Sequence, residues 1–225
     1  MSPLKRTLLC TTGLAAEARI ARAAGFAAVV GGGDRERTAA LVEDAVRQAH
    51  CLVSFGIAGG LAPFLRAGDV VISTEVLTED ERWRADAAFG SRVAALAAEI
   101  GGVKGPVLGT SRITAGTDEK RRTWLATGAL AVDLESDVVA RIAGLAGIPF
   151  VVVRTIADTA YRALPPAALI PLAEDGTPNL ARVLGSVLHE PRQVGALFGL
   201  ARETRAALDA LVRPARALHR LFAPV

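Results

Sequence analysis

Apolar and polar positions follow two rhythms along the first 160 residues. Short apolar runs with strand character fall at Arg6 to Thr12, Phe26 to Val30, Cys51 to Phe55, Asp69 to Ser73, Val107 to Thr110, Ala129 to Val132 and Phe150 to Ile156. Between several of them the apolar residues recur at helical spacing. Leu14 to Ala24 form one such stretch, Thr38, Leu41, Val42, Ala45, Val46 and Ala49 a second, and Val93 to Ile100 and Val138 to Ala146 two more. The glycine-rich segment Gly56 to Gly60 reads as a turn closing the third strand. Strands alternating with helices predict an α/β fold of three layers, α/β/α, around a central mixed but largely parallel sheet.

After Tyr161 the rhythm changes. Leu164 to Pro178 breaks regular structure, and Leu180 to Leu221 reads as helices interrupted by Pro191 and Pro214. The expected organisation is therefore a core over residues 1–160 and a helical extension over 161–225 packed on the same domain. In the extension Leu197, Leu200, Ala201, Leu208, Leu211 and Val212 recur at about helical spacing. Arg192, Arg202, Arg205, Arg213, Arg216 and Arg220 accompany them against Glu203 and Asp209. A basic amphipathic helix suits a peripheral membrane contact at the inner membrane surface, or packing on the body or a second subunit.

Composition narrows the class. Hydrophobic residues make up 51% and charged residues 22%, as in a packed globular chain. Aromatics are only 4%, so the core is built from small aliphatic side chains. The net charge of +3 comes without a basic run interleaved with aromatics, so no nucleic-acid partner is expected. Cys10 and Cys51 lie in apolar strands and read as buried free thiols. His50, His189 and His219 are dispersed, so neither a metal nor an organic cofactor is expected. With no signal-like segment, a cytoplasmic location is expected.

The candidate chemistry lies at strand ends, where open α/β sheets place their ligands. Asp133 and Glu135 flank Leu134 and should point to opposite sides if the strand continues through them, one into a cleft and the other into the structure. Asp158 falls just past a strand rich in valine, where partly apolar surroundings would raise its pKa and suit it to donate a proton. Arg154 lies inside that strand and needs an acidic partner, with Glu135 the candidate. Glu17 reads as an acid of a helix first turn.

Three segments in register carry a resemblance: SFGIAGGLAPFLRAGDVVIS from Ser54 to Ser73, AVDLESDVVARIA from Ala131 to Ala143, and PFVVVRTIADTA from Pro149 to Ala160. Together with Glu17 they resemble the nucleoside phosphorylase and nucleosidase superfamily, especially the methylthioadenosine/S-adenosylhomocysteine nucleosidases. The opening TGLAAEARIARAAG and the extension RALPPAALIPLAEDGTPNL look most like the hopanoid-associated phosphorylase branch, the presumed adenosylhopane nucleosidases.

The resemblance implies a purine N-glycosidase acting on a 5′-substituted adenosine, with adenosylhopane and its lipid tail the first choice and release of adenine the outcome. It also implies a homo-oligomer. Asp158 matches the acid at the leaving purine, Glu17 the base that orients water, and Glu135, with Leu134 beside it, the ribose grip. Ile57, Ala58, Gly59 and Ala157 match the wall beside base and sugar. Phosphorolysis with inorganic phosphate as co-substrate, a methylthioadenosine/S-adenosylhomocysteine nucleosidase, and a non-catalytic nucleoside- or lipid-binding protein stand as alternatives. The chain departs from the family where Ile57 and Ala157 replace serines and where Thr117 to Lys120 replace an aromatic stacking segment. The phosphorylases' arginine clamp also has no counterpart at the glycine-rich segment, which leaves Arg19 as the N-terminal candidate for phosphate.

Overall fold

A computed structural model describes residues 8–218 in full and the backbone of 219–222. Arg6 and Thr7 of the first expected strand, and the side chains of His219 and Arg220, lie outside the described residues. Among the described residues ten strands form one curled sheet: β1 (Leu8–Thr12), β2 (Ala27–Val30), β3 (Cys51–Gly60), β4 (Val70–Ser73), β5 (Glu75–Leu77), β6 (Arg82–Arg84), β7 (Val103–Lys104), β8 (Val107–Gly109), β9 (Ala131–Asp133) and β10 (Phe150–Asp158). Among the described residues seven α-helices surround it: α1 (Ala15–Ala23), α2 (Arg35–Ala45), α3 (Ala87–Glu99), α4 (Thr117–Thr127), α5 (Ser136–Ala146), α6 (Leu180–His189) and α7 (Val194–Phe222).

The sheet is largely parallel. β1 pairs in parallel with β2 and β3, β3 with β10, β4 with β7, β5 with β8 and β8 with β9. The pairs β4–β10, β3–β9 and β5–β6 are antiparallel. Period-two alternation along the strands fills two cores. Cys10, Val53, Phe55, Val151 and Val153 face α3 and α7, where Val93, Leu96, Leu211 and Leu218 meet them. Leu9, Leu52, Val152 and Ile156 face the opposite way, onto Val42 of α2 and Val139 and Ile142 of α5. Both cysteines are buried free thiols, and burial pushes the Cys10 thiol up to about 12.

The structure corrects several boundaries. Gly56 to Gly60 is not a turn but the second half of β3. Its lower residues lie between β1 and β10, whereas Gly59 and Gly60 exchange β1 for β9. Gly56 serves close approach rather than chain reversal: a Cβ there would lie 2.5 Å from the Glu17 carboxyl and 2.6 Å from Arg154 Nη1. α4 is not predicted by periodicity, because its sequence TDEKRRTWLAT carries no clear apolar stripe. Pro191 does separate α6 from α7, but α7 runs through Pro214. The backbone bond lost there is offset by packing, since Pro214 and its neighbour Ala215 are buried.

Candidate active site

Glu17 enters the site from the third position of α1. Its Oε2 accepts hydrogen bonds from the N–H groups of Gly13 (2.9 Å) and Leu14 (2.8 Å), as a capping acid would. Its Oε1 reaches across to β3 and accepts from the N–H of Ile57 at 2.7 Å. Three backbone donors thus fix one carboxylate between the first and third strands. Burial raises its pKa, opposed by the Arg154 charge and by those amides.

Asp133 and Glu135 do not point to opposite sides. The strand ends at Asp133, and Glu135 takes φ −121° and ψ −26° as the N-cap of α5, so alternation stops between them. Both carboxylates converge on Arg154, whose Nε donates to Asp133 Oδ2 at 2.9 Å and whose Nη2 donates to Glu135 Oε2 at 3.2 Å. Ser54 Oγ accepts a third bond from Nη2 at 2.7 Å. Asp133 rather than Glu135 is the closer partner of Arg154, and it also caps α5 by accepting from the N–H of Ser136 at 2.7 Å. That leaves Glu135 the freer of the two acids. Burial, reinforced by Asp133 and Glu17 and opposed by Arg154, pushes its carboxyl up to about 7. It presses so closely on the loop after β1 that a Cβ on Gly13 would lie 2.7 Å from Glu135 Oε1.

Asp158 ends β10. Pairing with β3 carries one extra residue, Ala157, between Ile156 and Asp158, and this bulge leaves both Ala157 and Asp158 lining the cleft. Burial raises the Asp158 pKa, while Lys120 and Arg162 oppose and Glu203 adds to the rise. Lys120, from α4, is fully buried and donates to Asp158 Oδ2. Nothing in the sequence marked it, because its neighbours Asp118, Glu119, Arg121 and Arg122 make the segment look solvated.

These groups share one cleft of about 780 Å³. Glu17, Glu135 and Asp158 line it together with Leu134, Ile57, Ala58, Gly59 and Ala157. Arg19 does not join them: two residues beyond Glu17 it turns to the outside of α1 and borders a separate groove against α7. The arginines that do border the cleft are Arg35 and Arg112. Arg35 is held by both carboxylate oxygens of Asp137, so its charge is already matched. The lining also includes the apolar side chains of Ile113, Leu164, Leu169, Ile170 and Leu172. Among the described residues no cluster of His, Cys, Asp or Glu has the arrangement of a metal site.

The sequence profile of the Phosphorylase superfamily matches residues 35–188. The 5′-methylthioadenosine/S-adenosylhomocysteine nucleosidase of Geobacillus thermodenitrificans is 28% identical over 130 residues, covering 48% of this chain and 55% of the relative. That of Geobacillus kaustophilus is 29% identical over 133 residues, with the same coverage of 48% and 55%. The chain thus spans about half the length of the curated relatives it matches. Among solved structures, the S-adenosylhomocysteine nucleosidase from Streptococcus pyogenes in complex with 5-methylthiotubericidin superposes with a TM-score of 0.68 at 17% identity, covering 100% of both chains. The Neisseria meningitidis 5′-methylthioadenosine/S-adenosylhomocysteine nucleosidase in complex with methylthio-immucillin-A gives a TM-score of 0.64 at 18% identity, covering 94% of this chain and 98% of the other. Likeness at this level of identity establishes the fold.

Proposed function

Because this chain belongs to the phosphorylase superfamily, we propose that it is a purine N-glycosidase acting on a 5′-substituted adenosine, with adenosylhopane as the substrate and adenine as a product. One observation carries the reading: three acids distant in sequence, Glu17, Glu135 and Asp158, line one nucleoside-sized cleft. Breaking a C–N glycosidic bond leaves positive charge on the sugar and an electron pair on the base. Asp158 supplies a proton to the departing base, Glu135 accepts hydrogen bonds from the ribose hydroxyls, and Glu17 takes the proton of the attacking water. Ile57, Ala58, Gly59 and Ala157 flank base and sugar without competing hydroxyls, and Leu134 packs beside the ribose. Water is the preferred nucleophile, since Asp137 already engages Arg35 and Arg19 faces elsewhere, which leaves Arg112 as the cleft arginine that phosphate would have to use. Adenine release that persists in phosphate-free buffer is the expected result; strict dependence on phosphate would establish phosphorolysis instead.

The apolar side chains lining the cleft, Ile113, Leu164, Leu169, Ile170 and Leu172, support an apolar 5′ substituent. Across adenosines carrying 5′-alkyl chains of increasing length, kcat/KM is expected to rise by about fourfold per buried methylene, the equivalent of roughly 0.8 kcal/mol. A flat series would point to a small substituent such as methylthio.

A peripheral membrane contact would suit such a substrate, and α6 offers a better surface for it than α7. The later turns of α7 spend their apolar side on the body, with Ala207, Leu211, Ala215 and Leu218 buried, although Phe198 near its start is 74% exposed. In α6 no residue is buried, and Leu180, Leu184 and Leu188, one turn apart, are 70%, 63% and 81% exposed. Among the described residues no helix is long and apolar enough to cross a membrane. Co-sedimentation with anionic vesicles is expected for the full chain and is expected to be lost in Leu184→Glu/Leu188→Glu. Binding unchanged by the double substitution would exclude α6 as the contact, and a shift from dimer to monomer would assign its face to a second copy.

A further inference from the structure

A buried amide that the chemistry above does not use holds part of the cleft's apolar lining in place. Between β10 and α6 the chain runs past the cleft as a strap. It includes a short turn of helix, Pro166–Leu169, and Ala168, Leu169, Ile170 and Leu172 line the cleft. Among the described residues Ile170 to Leu172 make no hydrogen bond, so the strap is held at its two ends. At the far end the N–H of Ala15 donates to the carbonyl of Gly176 at 3.2 Å, and a Cβ on Gly176 would lie 2.5 Å from Val30 Cγ1. At the near end the N–H of Leu164 donates to the carbonyl of Ala115 at 2.9 Å. The helical turn itself is held by a side chain, Gln193, from the break Pro191–Gln193 between α6 and α7. Gln193 is 5% exposed. Its Oε1 accepts from the N–H of buried Ala167 at 2.8 Å, while its Nε2 donates to the carbonyl (2.9 Å) and the Oγ (3.0 Å) of Ser186 in α6. The N–H of Ala167 can only donate, which sets the direction of the amide, and the carbonyl oxygen and the amide nitrogen are both engaged.

We propose that Gln193 is a positioning residue for substrate selection: it fixes where Ala168 to Leu172 stand, and thereby how tightly the cleft grips an apolar 5′ substituent. The proposal rests on the nucleosidase reading above. Without the amide, the buried N–H of Ala167 has no partner, and a buried donor is costly to leave unpaired. The helical turn must then shift to reach water, and Leu169 and Ile170 shift with it. The reacting groups are held by other segments: Glu17 by Gly13, Leu14 and Ile57, Glu135 by Arg154, and Asp158 by Lys120. Loss of Gln193 therefore falls on the grip of the substituent and spares the bond-breaking step.

Steady-state kinetics of the full chain on two substrates alike in base and ribose, 5′-methylthioadenosine and 5′-octylthioadenosine, test this. In Gln193→Met the KM for the octylthio compound is expected to rise by about tenfold or more, close to what two buried methylenes contribute at roughly fourfold each. The KM for the methylthio compound and kcat for both should stay near wild type, so the ratio of the two kcat/KM values falls. A glutamine that serves the fold alone would lower the melting temperature and reduce kcat for both substrates together. That would leave the ratio unchanged and overturn the proposal, as would a KM that rises equally for both. Gln193→Asn keeps a polar amide but is one methylene too short to span Ala167 and α6, and it is expected to shift the ratio the same way. It decides the matter should the methionine variant fail to fold: an unshifted ratio in it overturns the proposal. A wild type that turns over neither substrate removes the nucleosidase reading itself, whereas turnover of both with an unshifted ratio in the variants removes the role of Gln193 alone.

Discussion

Asp158→Asn is expected to lower kcat for adenine release by roughly 10²- to 10⁴-fold, the usual contribution of a general acid, while the protein melts within a few degrees of wild type. The fold should tolerate the change because the amide keeps the shape of the carboxyl and its oxygen can still accept from Lys120. What it loses is a transferable proton. The loss should fall on kcat more than on KM, since the proton moves only as the bond to the base breaks. A substrate whose leaving group needs no proton should recover much of the lost rate. Undiminished turnover of adenosine substrates by Asp158→Asn would remove Asp158 from the reaction.

The layered fold was legible because its strands are apolar on alternate faces and its helices on one stripe, a pattern that survives any choice of neighbour. Asp158 and Glu135 were noticeable for the same local reason: each follows an apolar run that must end at the sheet edge. What could not be read depends on contacts between distant segments. Gly56 looked like a turn residue, yet it is glycine because Glu17 and Arg154, 39 and 98 residues away in sequence, occupy the space of a side chain. Lys120 sits among charged neighbours, and only the path of the elbow after β10 buries it. The opposed directions expected for Asp133 and Glu135 assumed a strand that continues, whereas the start of α5 turns both toward Arg154. Arg19 was a candidate by nearness in sequence to Glu17, but a two-residue step on a helix points to the opposite side.

Arg154→Met is expected to destabilise the protein by roughly 3–5 kcal/mol, the usual cost of removing one partner from a buried charge cluster. The guanidinium is 1% exposed, bonds to Asp133 and Glu135, and also lowers the Glu17 pKa. Without it, Asp133, Glu135 and Glu17 are left buried together without the cation they share. For a chain of this size the loss corresponds to about 6–20 °C in Tm. Glu135→Gln should act in the opposite direction. The Glu135 carboxyl titrates near 7 in the folded protein against a reference of 4.5, so the folded state holds its proton more tightly than the unfolded state does. Its contribution to stability is therefore present below about pH 4.5 and is lost as pH rises through 7. At pH 8 the ionised side chain carries a cost on the order of 3 kcal/mol, from 1.36 kcal/mol per unit. Glu135→Gln should consequently melt higher than wild type at pH 8, show little difference near pH 4.5, and lose activity at both. Thermal melts of wild type and the two variants across this range measure both signs at once. Destabilisation by Glu135→Gln at pH 8 would mean that Glu135 serves the fold, as Asp133 does. Stabilisation together with lost activity identifies a carboxylate held ionised against its own stability, the mark of a residue kept for a ligand rather than for the chain.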